Sequence, residues 1–511
     1  MFSAIKSRLA GNGEAKEPAK EAVEAQAGQA DDSEAQPVGG GAVELKALDP
    51  AAEQQLTAAG VDLISCSACP SICDPLDTSL DPNTIHPDKT LRAWSKQTID
   101  MDSPMLASTT PFYRHALIST GKKDWVHDVA TVDGSLAQWF QEWAGEIEEE
   151  KKKGKETLQQ DASMARHRQP ILPEGVWQST LPPSSAMSSS SSKPIMSCQA
   201  RTAQDHLRPL PGGPSRVLIS NASHISSSRH HHGQNVMLFP DWVMLSDVCD
   251  GQPGEKVATA VAEDKERTRE LYREHIAAAP SSSSSKEERP RSRPRRTVLP
   301  YRAVVVLCSH NKRDARCGIA APMLAEVLKR HAEAAGWEVD ERADHVDHHH
   351  DGEADEEGSC EFHDLLRVPA GRGWGHVHET STADDSNKAP SPEEQILNWR
   401  KELCDPSSSY APSPSLGIFY CSHIGKHAWA GNVIVYFPSG SGVWYGRVDP
   451  KEGAGRVFQE TILKGKVIGE LLRAGINLYR GEGADELEDV VSGTKEQLVG
   501  GKGRTKSLLA W

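Results

Sequence analysis

The alternation of apolar and polar positions divides the chain into two ordered regions separated by polar, low-complexity segments. In the first region RHALIST (114–120) is a short apolar run closed by Gly121 and predicts a buried strand. Asp133-Gly134-Ser135 then opens LAQWFQEWAGEIEEE, whose apolar residues recur at helical spacing. RVLISNASHISSS and NVMLFPDWVMLSDV predict two more strands, with a turn at Pro240-Asp241. In the second region YRAVVVLCSH is a strongly β-branched strand, GIAAPMLAEVLKRHAEAAG a helix, and WEV the start of another strand. LGIFYCSH, NVIVYFP and VWYGRV predict further strands, and VFQETILKGKVIGELLRAG predicts a closing helix ended by Gly475.

Composition sets the expected boundaries. Residues 1–58 are rich in Ala, Glu, Gln and Gly, bury too little apolar area to offset ordering entropy, and are expected to form a disordered tail. The first region then spans 59–278, with a Ser/Pro insertion over about 151–212 that includes the serine run 188–192. A linker at 279–297, containing SSSSSKEERPRSRPRR, separates it from the second region, 298–511. That region holds an acidic, histidine-rich insertion over about 340–390. Its His348–His350 tract, like His230–His232 in the first region, reads as a solvated insertion.

The two regions repeat one pattern. YRHALISTGKKDW parallels YRAVVVLCSHNKRDARC, SNASHIS parallels YCSHIGKH, and each of the latter precedes an Asn-Val strand ending in Phe-Pro. The chemistry differs between the copies. The second copy has Cys308, Cys317, His423 and His427; the first has Ser or Thr, no second thiol, His224 and Ser228. A purely structural role would place these residues in both copies, so their presence in one argues that they act together.

Two thiols with eight residues between them and two imidazoles with three between them suit one metal centre, either zinc or an iron–sulfur cluster of mixed ligation. Direct thiol exchange by Cys308 and Cys317 is a third reading, disfavoured by their separation and by the lack of a CxxC at a helix start. Cys66, Cys69 and Cys73 lie within eight residues, but no fourth ligand stands nearby. Cys421 is an extra thiol beside the histidine loop and a competitor for ligation.

Charge and length remove other classes. The net charge of −15, from 57 basic and 72 acidic residues, gives no global attraction for nucleic acid or anionic lipid. No run of about 18 apolar residues predicts a membrane span. The ten cysteines are sparse, and no secretory apolar segment precedes them, which favours a reducing compartment. A cytoplasmic location is expected, with mitochondria the alternative. No pair of carboxylates is placed for glycoside cleavage, so a redox or electron-transfer role is expected rather than hydrolysis.

CSHNKRDARCGIAAP, SHIGKHAWAGNVIVYFP and WYGRV, together with RHALISTGKKDW and NVMLFPDW, resemble the sucrase/ferredoxin-like family. The resemblance covers both ordered regions. It implies an α/β fold of two tandem thioredoxin-like domains, the first degenerate and the second a ferredoxin holding one [2Fe-2S] cluster. Cys308 and Cys317 would ligate as thiolates, and His423 and His427 through imidazole nitrogen. The implied role is electron transfer or redox sensing, with donor and acceptor unidentified. Lys426 departs from the glycine expected in the histidine loop.

Two neutral imidazoles in place of two thiolates make such a cluster less negative and raise its potential, as in Rieske centres. Lys312, Arg313, Arg316 and Lys426 would act in the same direction. The outer proton of a ligating imidazole would make the midpoint pH-dependent. Trp511, ending SLLAW, resembles the terminal tryptophan by which some clients engage the cytosolic iron–sulfur assembly targeting machinery, although Ala510 departs from that signal.

Overall fold

The computed structural model describes residues 45–65, 85–155, 172–180, 213–226, 233–249, 258–277, 295–343, 390–405, 414–451 and 453–479. Cys66, Cys69, Cys73, both triple-histidine tracts and Trp511 lie outside the described residues. The elements run α1 (Pro50–Ala58), β1 (Leu63–Ile64), α2 (Asp88–Trp94), β2 (Arg114–Ser119), α3 (Leu136–Lys155), β3 (Val176–Trp177), β4 (Val217–Ala222), β5 (Gly233–Phe239), β6 (Val243–Cys249) and α4 (Ala258–Leu271). They continue with β7 (Arg295–Val298), β8 (Ala303–Cys308), α5 (Ala315–Ala334), β9 (Glu338–Asp340), α6 (Pro392–Cys404), β10 (Ser415–Cys421), β11 (Val433–Tyr436), β12 (Gly442–Tyr445), α7 (Gly453–Arg456, extended by a wide turn over Val457–Leu463), β13 (Val467–Ile468) and β14 (Leu472–Ile476).

The fold is mixed α/β, built on one 12-stranded sheet in the order β3-β14-β12-β11-β8-β10-β4-β2-β5-β6-β7, with β9 also on β10. Its two halves repeat a motif. In the first, β2 lies parallel to β4 and antiparallel to β5, which pairs with β6. In the second, β8 lies parallel to β10 and antiparallel to β11, which pairs with β12. A helix follows β2 and β8 alike. Every residue of β2 and of β8 is buried, because these strands sit mid-sheet with both faces covered; hence their unbroken apolar runs.

The halves meet edge to edge where β10 pairs antiparallel with β4 through Cys421 and Ala222. They are also tied by exchanged strands: β3 of the first region extends β14, and β7 pairs with β6. The sheet curls until its two copies face each other. Phe239 on β5 stacks on Tyr436 on β11 with ring centroids 4.4 Å apart and planes 7° apart. His115 bridges the same gap, from Tyr436 Oη at 2.9 Å to Ser220 Oγ at 3.1 Å.

Several boundaries differ from expectation. Pro50–Ala58, assigned by composition to a disordered tail, forms a helix because Asp49 accepts from the amides of Ala51 and Ala52 and because Ala52 and Leu56 find a core to enter. Residues 295–297 of the expected linker lie in β7, and β3 falls inside the expected Ser/Pro insertion. The α6 helix was not expected, although its capping box, Ser391 with Glu394, is written in the sequence. The closing helix is wrong beyond Leu463. Gly465 (φ +69°) breaks it, Val467–Ile468 pairs with β1, and Leu472–Ile476 pairs with β12. An open sheet edge offers those residues backbone partners and burial that a helix could not, and this outweighs their helical periodicity.

Candidate functional site

The site forms where β8 and β10 end side by side. Cys308 is the last residue of β8 and lies in parallel register with Cys421, the last of β10. After Cys308 the chain turns through 309–314 and enters α5, placing Cys317 in that helix's first turn. Asp314 caps the helix, accepting from the Arg316 amide at 2.9 Å. Gly318 is required here: a Cβ at this position would lie 2.4 Å from Asn311. Both thiols are buried, at 3% and 1% exposure.

The first, ligand-poor copy supports this turn. Ser309 Oγ donates to the Lys123 carbonyl at 2.7 Å, the Lys312 amide to Asp124 at 3.1 Å, and Arg313 to the His127 carbonyl at 3.0 Å. His310 Nε2 donates to the Trp125 carbonyl at 3.1 Å, while its Nδ1 accepts from the His423 amide at 3.1 Å. The Lys-Asp loop of one copy thus buttresses the cysteine loop of the other.

The histidine loop leaves β10 through His423, turns at Gly425 (φ +104°) and Lys426 (φ +40°), and reaches His427 at the start of a 3-10 turn, His427–Trp429. The two imidazoles therefore share a loop, not a helix face. Their ring centroids are 5.7 Å apart. Cys308 links the two pairs, being within hydrogen-bonding reach of Cys317, His423 and the Ile424 backbone. The Cys317 contact above all, helped by His423, holds the Cys308 thiol well below the usual thiol range despite its burial. Cys317 is correspondingly raised, by its bond to Cys308 and by burial. Burial raises Cys421, and negative charge at Cys308 adds to it.

Arg473, on β14, was missed by sequence reasoning. It is 1% exposed, and its guanidinium donates to Gly425 O at 2.9 Å, Asn432 Oδ1 at 2.6 Å and Ser108 Oγ at 3.0 Å. It lies over the rings of Trp429 and Trp444, 5.3 and 4.9 Å from their centroids. Burial lowers its pKa to about 10, opposed by negative charge at Cys308 and Cys317. Of the expected cations, Arg316 pairs with Asp314 and Lys426 lies over Trp429. Nothing near Arg473 in the sequence marks it, since it sits 48 residues beyond Gly425 within an apolar run.

A family model described as sucrase/ferredoxin-like matches residues 105–474. The chain belongs to the sucrase/ferredoxin-like family. The match spans both copies of the sheet motif and all four candidate ligands. Among curated relatives, the chain is 52% identical over 64 residues to altered inheritance of mitochondria protein 32 of Debaryomyces hansenii, covering 12% of this chain and 20% of the relative. It is 52% identical over 52 residues to the protein of the same name from Clavispora lusitaniae, covering 10% and 19%. The matched segments thus span about a fifth of the relatives' length. No solved structure matches the chain.

The chemistry of the donor set bears on the group that the family name implies. Among the described residues no group of three or more His, Cys, Asp or Glu side chains is arranged to hold a metal ion. The four candidates instead form a chain of neighbouring pairs, two buried thiols and two imidazoles. Paired donors suit a binuclear cluster, in which each iron takes two protein ligands. His427 Nδ1 is buried and has no hydrogen-bond partner, a donor atom left over for such a group.

Proposed function

We propose that Cys308, Cys317, His423 and His427 hold one [2Fe-2S] cluster and that the protein acts in electron transfer or redox sensing. The observation that carries this reading is the position of Cys308. A thiol pushed well below its usual range stands between a second thiol and the His423 imidazole, which comes from more than 100 residues further along the chain. When bound, the cluster would supply a reversible one-electron couple. The chain's own residues would bury the thiolate side and let electrons reach the surface on the imidazole side, where the His427 side chain is 41% exposed.

Support for a thioredoxin-like reading of each half comes from topology. A strand–helix–strand unit with parallel strands is followed by an antiparallel pair and then a helix, in both copies. The first copy carries Ser119 at the register of Cys308, bonded to the Asn235 amide at 2.8 Å, and reads as the degenerate partner.

Thiol exchange by Cys308 and Cys317 is a second reading, favoured by the hydrogen bond that pushes the Cys308 thiol down and the Cys317 thiol up. Structural zinc on the same residues is a third. Anaerobic purification with iron, sulfide and zinc analysis separates them: a coloured protein with two irons and two sulfides that loses both in His427→Ala supports the cluster. A colourless protein with stoichiometric zinc, or a metal-free protein active in thiol exchange, overturns it. The cluster reading further proposes a redox donor and acceptor as partners, and recognition of Trp511 by the assembly targeting machinery. The name of the relatives favours the mitochondrial alternative over a cytoplasmic location, which fractionation decides. Among the described residues no helix is long and apolar enough to cross a membrane.

A further inference from the structure

His427 presents its two ring nitrogens to different surroundings. Nε2 lies 3.6 Å from Asp314 Oδ2, within ion-pair range and just beyond hydrogen-bonding distance. Nδ1 is buried and unpartnered. Asp314 is itself fixed, because Oδ1 accepts from the Arg316 amide and Nε, both at 2.9 Å, and Oδ2 accepts from Arg316 Nη2 at 2.8 Å. The carboxylate caps α5 with one oxygen and turns the other toward the imidazole.

A neutral imidazole carries one proton, and the nitrogen facing a carboxylate keeps it. We propose that Asp314 is a positioning residue that holds His427 as the Nε2–H tautomer, so that Nδ1 is the ligating atom. A carboxylate on the outer nitrogen of a ligating histidine fixes the ring and raises its basicity. One short segment, Asp314 to Cys317, would then provide a ligand directly and orient another ligand 110 residues on. The ligation step rests on the metal-centre reading; the tautomer does not.

The test uses two variants chosen to fold. Asp314→Asn keeps the capping oxygen but turns an amide NH2, a donor, toward Nε2 where the carboxylate oxygen stood. Asp314→Ser keeps a capping oxygen but is too short to reach the ring. Long-range proton–nitrogen NMR on the metal-free full chain with labelled histidine, at a pH where His427 is neutral, is expected to show one Nε2–H tautomer in the parent and its loss in Asp314→Asn. Asp314→Ser should show a mixture. An Nδ1–H tautomer in the parent, or an unchanged tautomer in Asp314→Ser, overturns the inference whatever the metal content. Zinc titration then tests ligation: Asp314→Ser is expected to bind zinc about 10–100-fold more weakly than the parent. Equal affinity overturns the ligand-positioning role. Loss of iron and sulfide from the parent would instead count against the cluster alone.

Discussion

Arg473 donates to the carbonyl of Gly425 at 2.9 Å, so the last strand of the sheet holds the turn between the two candidate histidines. The same guanidinium reaches Asn432, whose carbonyl accepts from the Cys308 amide at 3.2 Å. One buried cation thus fixes both ligand loops. Arg473→Gln is expected to destabilise the fold by on the order of 3 kcal/mol, since several buried acceptors lose a charged donor. Arg473→Lys keeps the charge but not the planar fork and should recover only part of that loss. Denaturant unfolding measures both, and a change under about 1 kcal/mol in Arg473→Gln would refute this role.

Gly425 has φ +104°, and a Cβ there would lie 3.1 Å from Arg473 Nη2. Gly425→Ala should cost about 1–3 kcal/mol in backbone strain and displace the histidine loop. At Gly134 (φ +72°) an added Cβ would meet nothing within 4 Å, so this position serves as a control for strain without contact. Metal content is expected to fall in Gly425→Ala and to stay at the parent level in Gly134→Ala.

Cys421 stands beside Cys308 in the sheet but is raised well above the usual thiol range by burial. Cys317, by contrast, hydrogen-bonds Cys308 and so lies against the thiol–imidazole pair. Cys421→Ala should therefore retain the parent's metal content, whereas Cys317→Ser should lose it; retention in Cys317→Ser with loss in Cys421→Ala would reassign the ligand.

His115 and His224 are fully buried, and burial lowers their pKa values to about 3 and about 4. His224 lies edge-on to Phe419, and neither of its ring nitrogens closes a hydrogen bond of ordinary geometry, although the Asn235 backbone is close. In the unfolded chain both take up protons as pH falls through about 6.5, while in the fold they do not. The unfolded state then binds more protons, so stability is full above about pH 6.5 and falls below it. Each histidine contributes a slope of about 1.4 kcal/mol per pH unit, down to its folded pKa. Unfolding free energies measured between about pH 4 and 7 should show a shallower slope in His115→Gln than in the parent.

The sequence by itself determined the repeated unit and the four candidate ligands. The short apolar run at 114–119 and the β-branched run at 303–308 read as buried strands, and the amphipathic run after Ser135 as a helix, because periodicity and propensity are local. The contrast between the copies also lay in the sequence. Tertiary structure decided what depends on distant partners. Residues 472–476 became a strand because β12 offered an open edge, and Pro50–Ala58 became a helix because a core received Leu56. Tertiary structure alone brought Arg473 to the histidine loop, turned the Lys123–His127 segment of one copy into a brace for the other, and aimed Asp314 at His427. These contacts join residues separated by tens to hundreds of positions, and no local pattern encodes which of many buried polar groups will meet once the sheet curls on itself.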